Sequence, residues 1–378
     1  MEHYELFMED FKTYPAVYAV ADNYQICVLA TCELMVWVEV AGECFYDESN
    51  GILRSSKLLH KVEVPRELLE TAREYTVYYR KIIERKPYFT ETEDVRSASF
   101  AFRPVEGDRL RIYHISDTHN KEETPVRAGM YFGESPDLLV LNGDIPNHSG
   151  KIEFFDAIHK IAGEITKGER PVVFSRGNHD TRGIYAEHIA DYTPTDRGNS
   201  YYTFRVGDLW GIVLDCGEDK PDDHEEYGNT VCCSYFRKKE TRFLEQVVWN
   251  AEREYAAEGV KRRVVICHVP FTHIHKPPFD IEQETYAYWS KLVREEIKPQ
   301  VMLCGHLHQT RVNYPGEPFD DFGQACPVVI GGNPHLQLQK EKGIDRYEGA
   351  AVIWEGNRIT VRFTDETGAV TGEETFDA

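Results

Sequence analysis

The sequence predicts an α/β fold preceded by a small all-β unit, and three observations carry that prediction. From Leu110 onward, short apolar runs alternate with segments of helical period, the pattern of a largely parallel sheet covered on both faces. Residues 15–105 instead alternate apolar and polar positions in strand-length runs between turn signals, as in a small antiparallel sandwich. Five of the later apolar runs end in loops rich in His, Asp or Asn: RLRIYHISDTH, LLVLNGDIPNH, PVVFSRGNHD, RVVICHVP and VMLCGHLH.

In chain order, PAVYAVADNYQICVLATCELMVWVEVAGECFY reads as strands rich in Val, Tyr and Trp, turning at Asp22-Asn23 and Ala41-Gly42. KLLHKVEVP, EYTVYYRKII and VRSASFAFRPV read as further strands, and PRELLETA, between the first two, as a helical turn. This β-sandwich is expected over residues 1–106, with PVEGD as the turn-forming link to a second domain over 107–378. Nothing in the first unit suggests a catalytic site. In the second, IEFFDAIHKIAGEI and YFRKKETRFLEQVVWNAEREYAAEG have helical period, the latter with Phe243, Leu244, Val247 and Val248 on one face. YYTFRVGDLWGIVLDC predicts a hairpin at Gly207-Asp208, and EGAAVIWEGNRITVRFTD another around Glu355-Gly356-Asn357. The acidic, turn-rich CGEDKPDDHEEYGN reads as a solvated loop, with a mobile segment over the site as the sharper reading.

Composition narrows the function. The formal charge of -21, from 43 basic against 64 acidic side chains, argues against broad nucleic-acid binding, which runs on clustered Lys and Arg. A small phosphorylated ligand is still compatible with it, because metal ions can supply local positive charge. No apolar run approaches the roughly 20 residues of a membrane span, and MEHYELFMEDF lacks the layout of a signal peptide. The nine cysteines are an odd number, and Cys27, Cys216, Cys267 and Cys304 sit in apolar, strand-like contexts. They read as reduced core thiols of a cytoplasmic protein, and Cys232-Cys233 has neither redox nor zinc-ligand spacing.

The strand-end loops carry the chemistry. Asp117-x-His119 lies just past a strand, where extended geometry would turn both side chains toward one ion. Asp144 follows Gly143, Asn178 and His179 follow Gly177, and His306-x-His308 repeats the spacing after Gly305. Such residues converge beyond the carboxyl ends of neighbouring strands, where open α/β sheets place their sites. Carboxylate, imidazole and amide oxygen without thiolate suit Mn, Fe or Zn better than a structural zinc. The set is too rich for one closed site but fits two metals sharing a carboxylate, an arrangement typical of phosphate-ester hydrolysis.

DTH, GD, GNHD, His268 and GHLH, in that order, resemble the signature of the calcineurin-like metallophosphoesterase superfamily over about residues 108–335. The resemblance implies a four-layer core, two sheets between helices. It implies one divalent metal on Asp117, His119, Asp144 and His308, and a second on Asp144, Asn178, His268 and His306. His179 would face the substrate, stabilising the transition state or protonating the leaving oxygen, with Asp180 orienting its ring and a metal-held hydroxide attacking. The preceding sandwich resembles that of purple acid phosphatases, but Asn147 stands where that class has a Tyr ligand, and His119 is a ligand that class lacks. A small phosphorylated substrate follows, mono- or diester; a catalytically silent metal-binding module of the same fold is the alternative. Arg176, His148, His273 and His275 are candidate substrate contacts, while His114, inside its strand, reads as a core histidine.

Overall fold

The computed structural model describes residues 7–48, 51 and 54–378; the first six residues of the acidic N-terminal segment lie outside the described residues. The first third contains β1 (Ala16–Val20), β2 (Asn23–Leu29), β3 (Leu34–Val40), β4 (Glu43–Tyr46), β5 (Leu59–Pro65), α1 (Arg66–Ala72), β6 (Glu74–Arg85), β7 (Thr90–Thr92) and β8 (Arg96–Ala101). Then follow β9 (Arg109–Ile115), α2 (Glu123–Gly129), β10 (Leu138–Asn142), α3 (Asp156–Thr166), β11 (Pro171–Ser175), α4 (Ile189–Tyr192), β12 (Tyr202–Val206) and β13 (Leu209–Leu214). The chain continues through α5 (Cys233–Trp249), β14 (Arg262–Cys267), α6 (Gln283–Leu292), β15 (Val301–Cys304), β16 (Arg311–Asn313), β17 (Val328–Ile330) and α7 (Leu336–Lys342). It ends with β18 (Glu348–Glu355), β19 (Arg358–Asp365) and β20 (Val370–Asp377).

Two sheets form the core. The first has nine strands in the order β20-β19-β18-β9-β10-β11-β1-β2-β5, and the second six, β12-β13-β14-β15-β17-β16. Strands β10 and β11 are buried along their whole length, which their unbroken apolar runs require. The layering follows from period-2 alternation in the second sheet. Val264, Ile266, Val301 and Leu303 join the core shared with the first sheet, while Val265, Cys267, Met302 and Cys304 join a separate core with Leu244 and Val247 of α5 and Trp289 of α6. Helices α2 and α3 cover the outer face of the first sheet, where Ala128, Ile158, Ile161 and Ile165 are buried. The result is the α-β-β-α core, preceded by β-sandwich strands.

Those N-terminal strands pair antiparallel as expected, but one of their two layers is not separate from the core. β1, β2 and β5 continue the nine-stranded sheet, because β1 pairs parallel with β11 (Val17 opposite Pro171, Tyr18 opposite Val172). β4-β3-β6 and β8 form the other layer, with β7 extending from β6. The nine-stranded sheet therefore contains strands from both sides of residue 106.

Both expected hairpins are present, Val206 opposite Leu209 and Glu355 opposite Arg358, and α1 occupies the predicted helical turn. The long helix stops earlier than its pattern predicts, at Trp249: the Asn250 side chain donates to the Gln246 carbonyl at 2.8 Å, and the chain turns away. All nine cysteines are unbridged. No helix among the described residues is long and apolar enough to cross a membrane.

At the amino ends of β9 and β10, Asp137 accepts from the Arg111 backbone N–H (2.9 Å), Nε (3.1 Å) and Nη2 (2.9 Å). Burial raises the Asp137 carboxyl, but these bonds outweigh it and hold it below the usual carboxylate range. A folded-state value below the unfolded one means the contribution is present above the unfolded value and is lost as pH falls through the folded one. Asp137→Asn should therefore cost about 1–3 kcal/mol in denaturant unfolding at pH 7. The gap from wild type should narrow below about pH 3.9, the ordinary aspartate value.

Candidate metal centre

The loops after β9, β10, β11, β14 and β15 meet at one place, held by bonds between neighbouring loops. Asp117, His119 and Asn120 backbone N–H groups donate to the carbonyls of Gly143 (3.0 Å), Asp144 (3.0 Å) and Ile145 (2.8 Å). Gly305 donates to His268 at 2.9 Å. The two sheets are tied across the site: His306 N–H donates to the Asp117 carboxylate at 3.0 Å, and His268 Nδ1 lies 2.6 Å from the Asn142 carbonyl.

The DxH and HxH segments are not extended, as the spacing argument supposed. Asp117, His119, Asp144, His306 and His308 all have left-handed backbone, with φ of 56°, 47°, 53°, 69° and 50°. Each such residue costs roughly 1–3 kcal/mol and persists only where the surroundings impose it. The curled backbone turns the side chains inward within a very short length of loop. Close approach also demands glycine: a Cβ on Gly143 would stand 2.6 Å from the His268 ring, and one on Gly177 would overlap the Asp144 carboxylate.

Among the described residues, three groups of donors could each hold a cation: Asp117, His119 and His308; His119, Asp144 and His179; and Asp144, His268 and His306. His119 Nε2 and His308 Nε2 lie 2.9 Å apart, and His308 Nε2 is 3.5 Å from Asp117 Oδ1. His268 Nε2 lies 3.2 Å from Asp144 Oδ2 and 3.7 Å from Asp117 Oδ1. His306 Nδ1 is 3.1 Å from Asn178 Oδ1, so the amide presents its oxygen to the centre while its Nδ2 donates to Asp219 (3.3 Å). Asp144 thus belongs to two of the groups.

Electrostatics agree with a cation site. Burial pushes Asp117 up to about 7, whereas Asp144, despite burial, is held well below the usual carboxylate range by His268. Burial depresses His268 too, but Asp144 and Asp117 lift it to about 10. Burial pushes His119 and His306 down to about 3, and His308 down as well. Three imidazoles therefore keep free lone pairs, and the two buried carboxylates draw positive charge to this place. His268 Nε2 lies close to Asp144 and is a buried atom without a hydrogen-bond partner. The donor set and this orphaned nitrogen fit divalent cations.

A family model, calcineurin-like phosphoesterase, matches residues 110–310. The chain belongs to the calcineurin-like phosphoesterase family. Its fold is similar to that of purple acid phosphatase PPD1 isolated from yellow lupin (Lupinus luteus) seeds, at TM-score 0.61 and 13% identity, covering 96% of this chain and 74% of that one. It is also similar to PhoD, at TM-score 0.53 and 12% identity, covering 97% and 89%. No curated protein matches the chain in sequence.

In this calcineurin-like chain the other expected residues divide. His273 and His275 line the cleft of about 710 Å³ that also contains Asp144, Asn178, His179, His306 and His308. Arg176 does not reach it: its Nε lies 2.6 Å from Asp215 Oδ2 and its guanidinium over Phe236, so it braces the loop. His148 accepts from the Gly150 N–H at 2.9 Å and packs on Phe154. Asp180 does not orient His179. Its buried carboxylate accepts from the Asp144 (3.1 Å) and Gly177 (2.5 Å) N–H groups, fixing two loops, and His179 Nδ1 instead meets the Asn147 carbonyl at 2.9 Å. His114 is buried, 3.1 Å from Asn142 Nδ2, as its place in the strand implied.

Sequence reasoning missed two residues. The loop read as solvated is buried from Cys216 to Lys220, because Arg182 pairs with Glu218 (2.8 Å) and Asp219 (3.1 Å) and Tyr227 donates to both at 3.0 Å. Asp219 reaches the cleft, and Arg182 Nη1 lies 3.2 Å from His179 Nε2. The signal was faint: Arg182 is three residues beyond His179, and Asp219 is one acid among several.

Asp144→Asn should strip metal measured by elemental analysis after dialysis, and abolish the rise in Tm on adding Mn(II) or Zn(II). His179→Ala should retain metal at the wild-type level; a variant emptied of metal would place His179 among the ligands.

Proposed function

We propose that this chain is a binuclear-metal phosphoesterase hydrolysing phosphate mono- or diesters. The observation that carries this reading is the double membership of Asp144, whose carboxylate faces His119 on one side and His268 and His306 on the other. Asp117, His119, Asp144 and His308 would hold one ion, and Asp144, Asn178, His268 and His306 the second. Divalent cations in such a pair activate water for attack and neutralise charge on the phosphoryl oxygens. The chain's own contribution is to fix the donors before substrate arrives, through the left-handed loop ends and the bonds between loops.

His179 is the group proposed to face substrate, and it lines the cleft. Its Nδ1 stands against a carbonyl and so must carry hydrogen; Nε2 faces the Arg182 donor at 3.2 Å. A neutral ring is then an acceptor at Nε2 and has to take up a proton there before it can serve as the acid. Arg182 acts through that ring as a positioning residue.

Chelation should abolish hydrolysis of 4-nitrophenyl phosphate and bis(4-nitrophenyl) phosphate, and Mn(II) or Zn(II) should restore it. A fully loaded protein inert on both and on alkyl esters would instead support the catalytically silent module. If His179 is the acid, His179→Ala should slow alkyl phosphate esters on the order of 10²–10⁴-fold and nitrophenyl esters far less, because nitrophenolate leaves without a proton. Equal losses on the two substrate types would exclude the acid role.

A further inference from the structure

The cleft beside the candidate centre holds a cation that no acid among the described residues neutralises. Arg311 opens β16, three residues after His308, and lines the same cleft as His179, His306 and His308. Other enclosed arginines are tied to carboxylates: Arg111 to Asp137, Arg182 to Glu218, Arg237 to Glu282, Arg262 to Asp208. The Arg311 side chain has no ion-pair or hydrogen-bond partner among the described residues, and its Nε is buried without one. Burial without a counter-charge pulls its pKa below the ordinary arginine range. Of the acids that share the cleft, Asp144 faces His268 in the candidate centre, and Asp219 is engaged by Arg182 and Tyr227.

The guanidinium is also held in place. Its carbon lies 4.4 Å from the centroid of Phe319, and His273 stacks on the same ring at 4.0 Å. Two groups that close cannot share one face, so Phe319 is clasped between them, and Asp321 fixes His273 through Nδ1 at 2.7 Å. Lys276, likewise without an acid partner among the described residues, stands at the exposed rim. A planar fork stacked on an aromatic ring, with its edge donors unspent, suits two-point binding of a carboxylate or phosphoryl group.

We propose that Arg311, with Lys276 at its rim, is an anion subsite, and that the substrate is a phosphate ester whose leaving group carries a second anionic group. The inference rests on the phosphoesterase reading, in which the metal ligands take the scissile phosphoryl and Arg311 meets a different group.

The test is calorimetric binding of phenylphosphonate, 4-carboxyphenylphosphonate and 1,4-phenylenebisphosphonate to Mn(II)-loaded protein. Wild type should bind one or both of the doubly anionic probes about tenfold or more tighter than phenylphosphonate, the scale of one charge-assisted hydrogen bond. Whichever of the two gains more identifies carboxylate or phosphoryl as the preferred group. Arg311→Gln should bring the ratio near one, and Arg311→Lys, which keeps charge without the fork, should leave an intermediate value. Equal affinities in wild type, a preference that survives Arg311→Gln, or no binding of any probe would overturn the subsite. If Arg311→Gln does not fold, Lys276→Gln should still reduce the ratio. Turnover separates the two proposals: an inert protein with an Arg311-dependent preference overturns hydrolysis alone, and an active one without the preference overturns the subsite alone.

Discussion

Two carboxylates buried side by side, Asp117 and Asp144, set the terms for the rest of the molecule. Burying like charges together is costly unless positive charge is brought to them. Neither sheet supplies enough alone. The first contributes the acids themselves, with His119 and Asn178, and the second contributes His268, His306 and His308. The face-to-face packing of the sheets, with alternate residues of β14 and β15 locked into the shared core, is what lets imidazoles from one reach carboxylates of the other.

The same demand explains the strained backbone. Five left-handed residues at strand ends would be costly in a surface loop. Here they are held by hydrogen bonds between adjacent loops and by the Asp180 carboxylate, which ties the second loop to the third. Asp180 is thus a brace beneath the site, and burial beside Asp144 pushes its carboxyl well above the usual carboxylate range.

What was legible in the sequence was whatever is written locally. Each motif sits directly behind an apolar run, so strand and loop announce themselves together, and order along the chain identified the set. Properties that depend on distant partners were not legible. Asp219 looks like part of a solvated acidic stretch until Arg182 and Tyr227 are seen to cover it. Arg311 is one basic residue among 43 until its lack of an acid partner is visible. The backbone at Asp117 and His119 was misjudged because spacing alone does not report φ. The fusion of the N-terminal strands with the core did leave a trace: AVYAV in β1 is apolar without alternation, as a strand covered on both faces must be.

That fusion bears on how the chain can be divided. β1 shields the open side of β11, the strand that delivers Asn178 and His179, and also bridges to the second sheet where Ala21 N–H donates to Thr203 at 2.8 Å. A fragment starting at the family's own boundary would leave β11 with a bare apolar flank, a template for pairing with other chains. The N-terminal region is in this sense an edge guard for the sheet that carries Asn178 and His179.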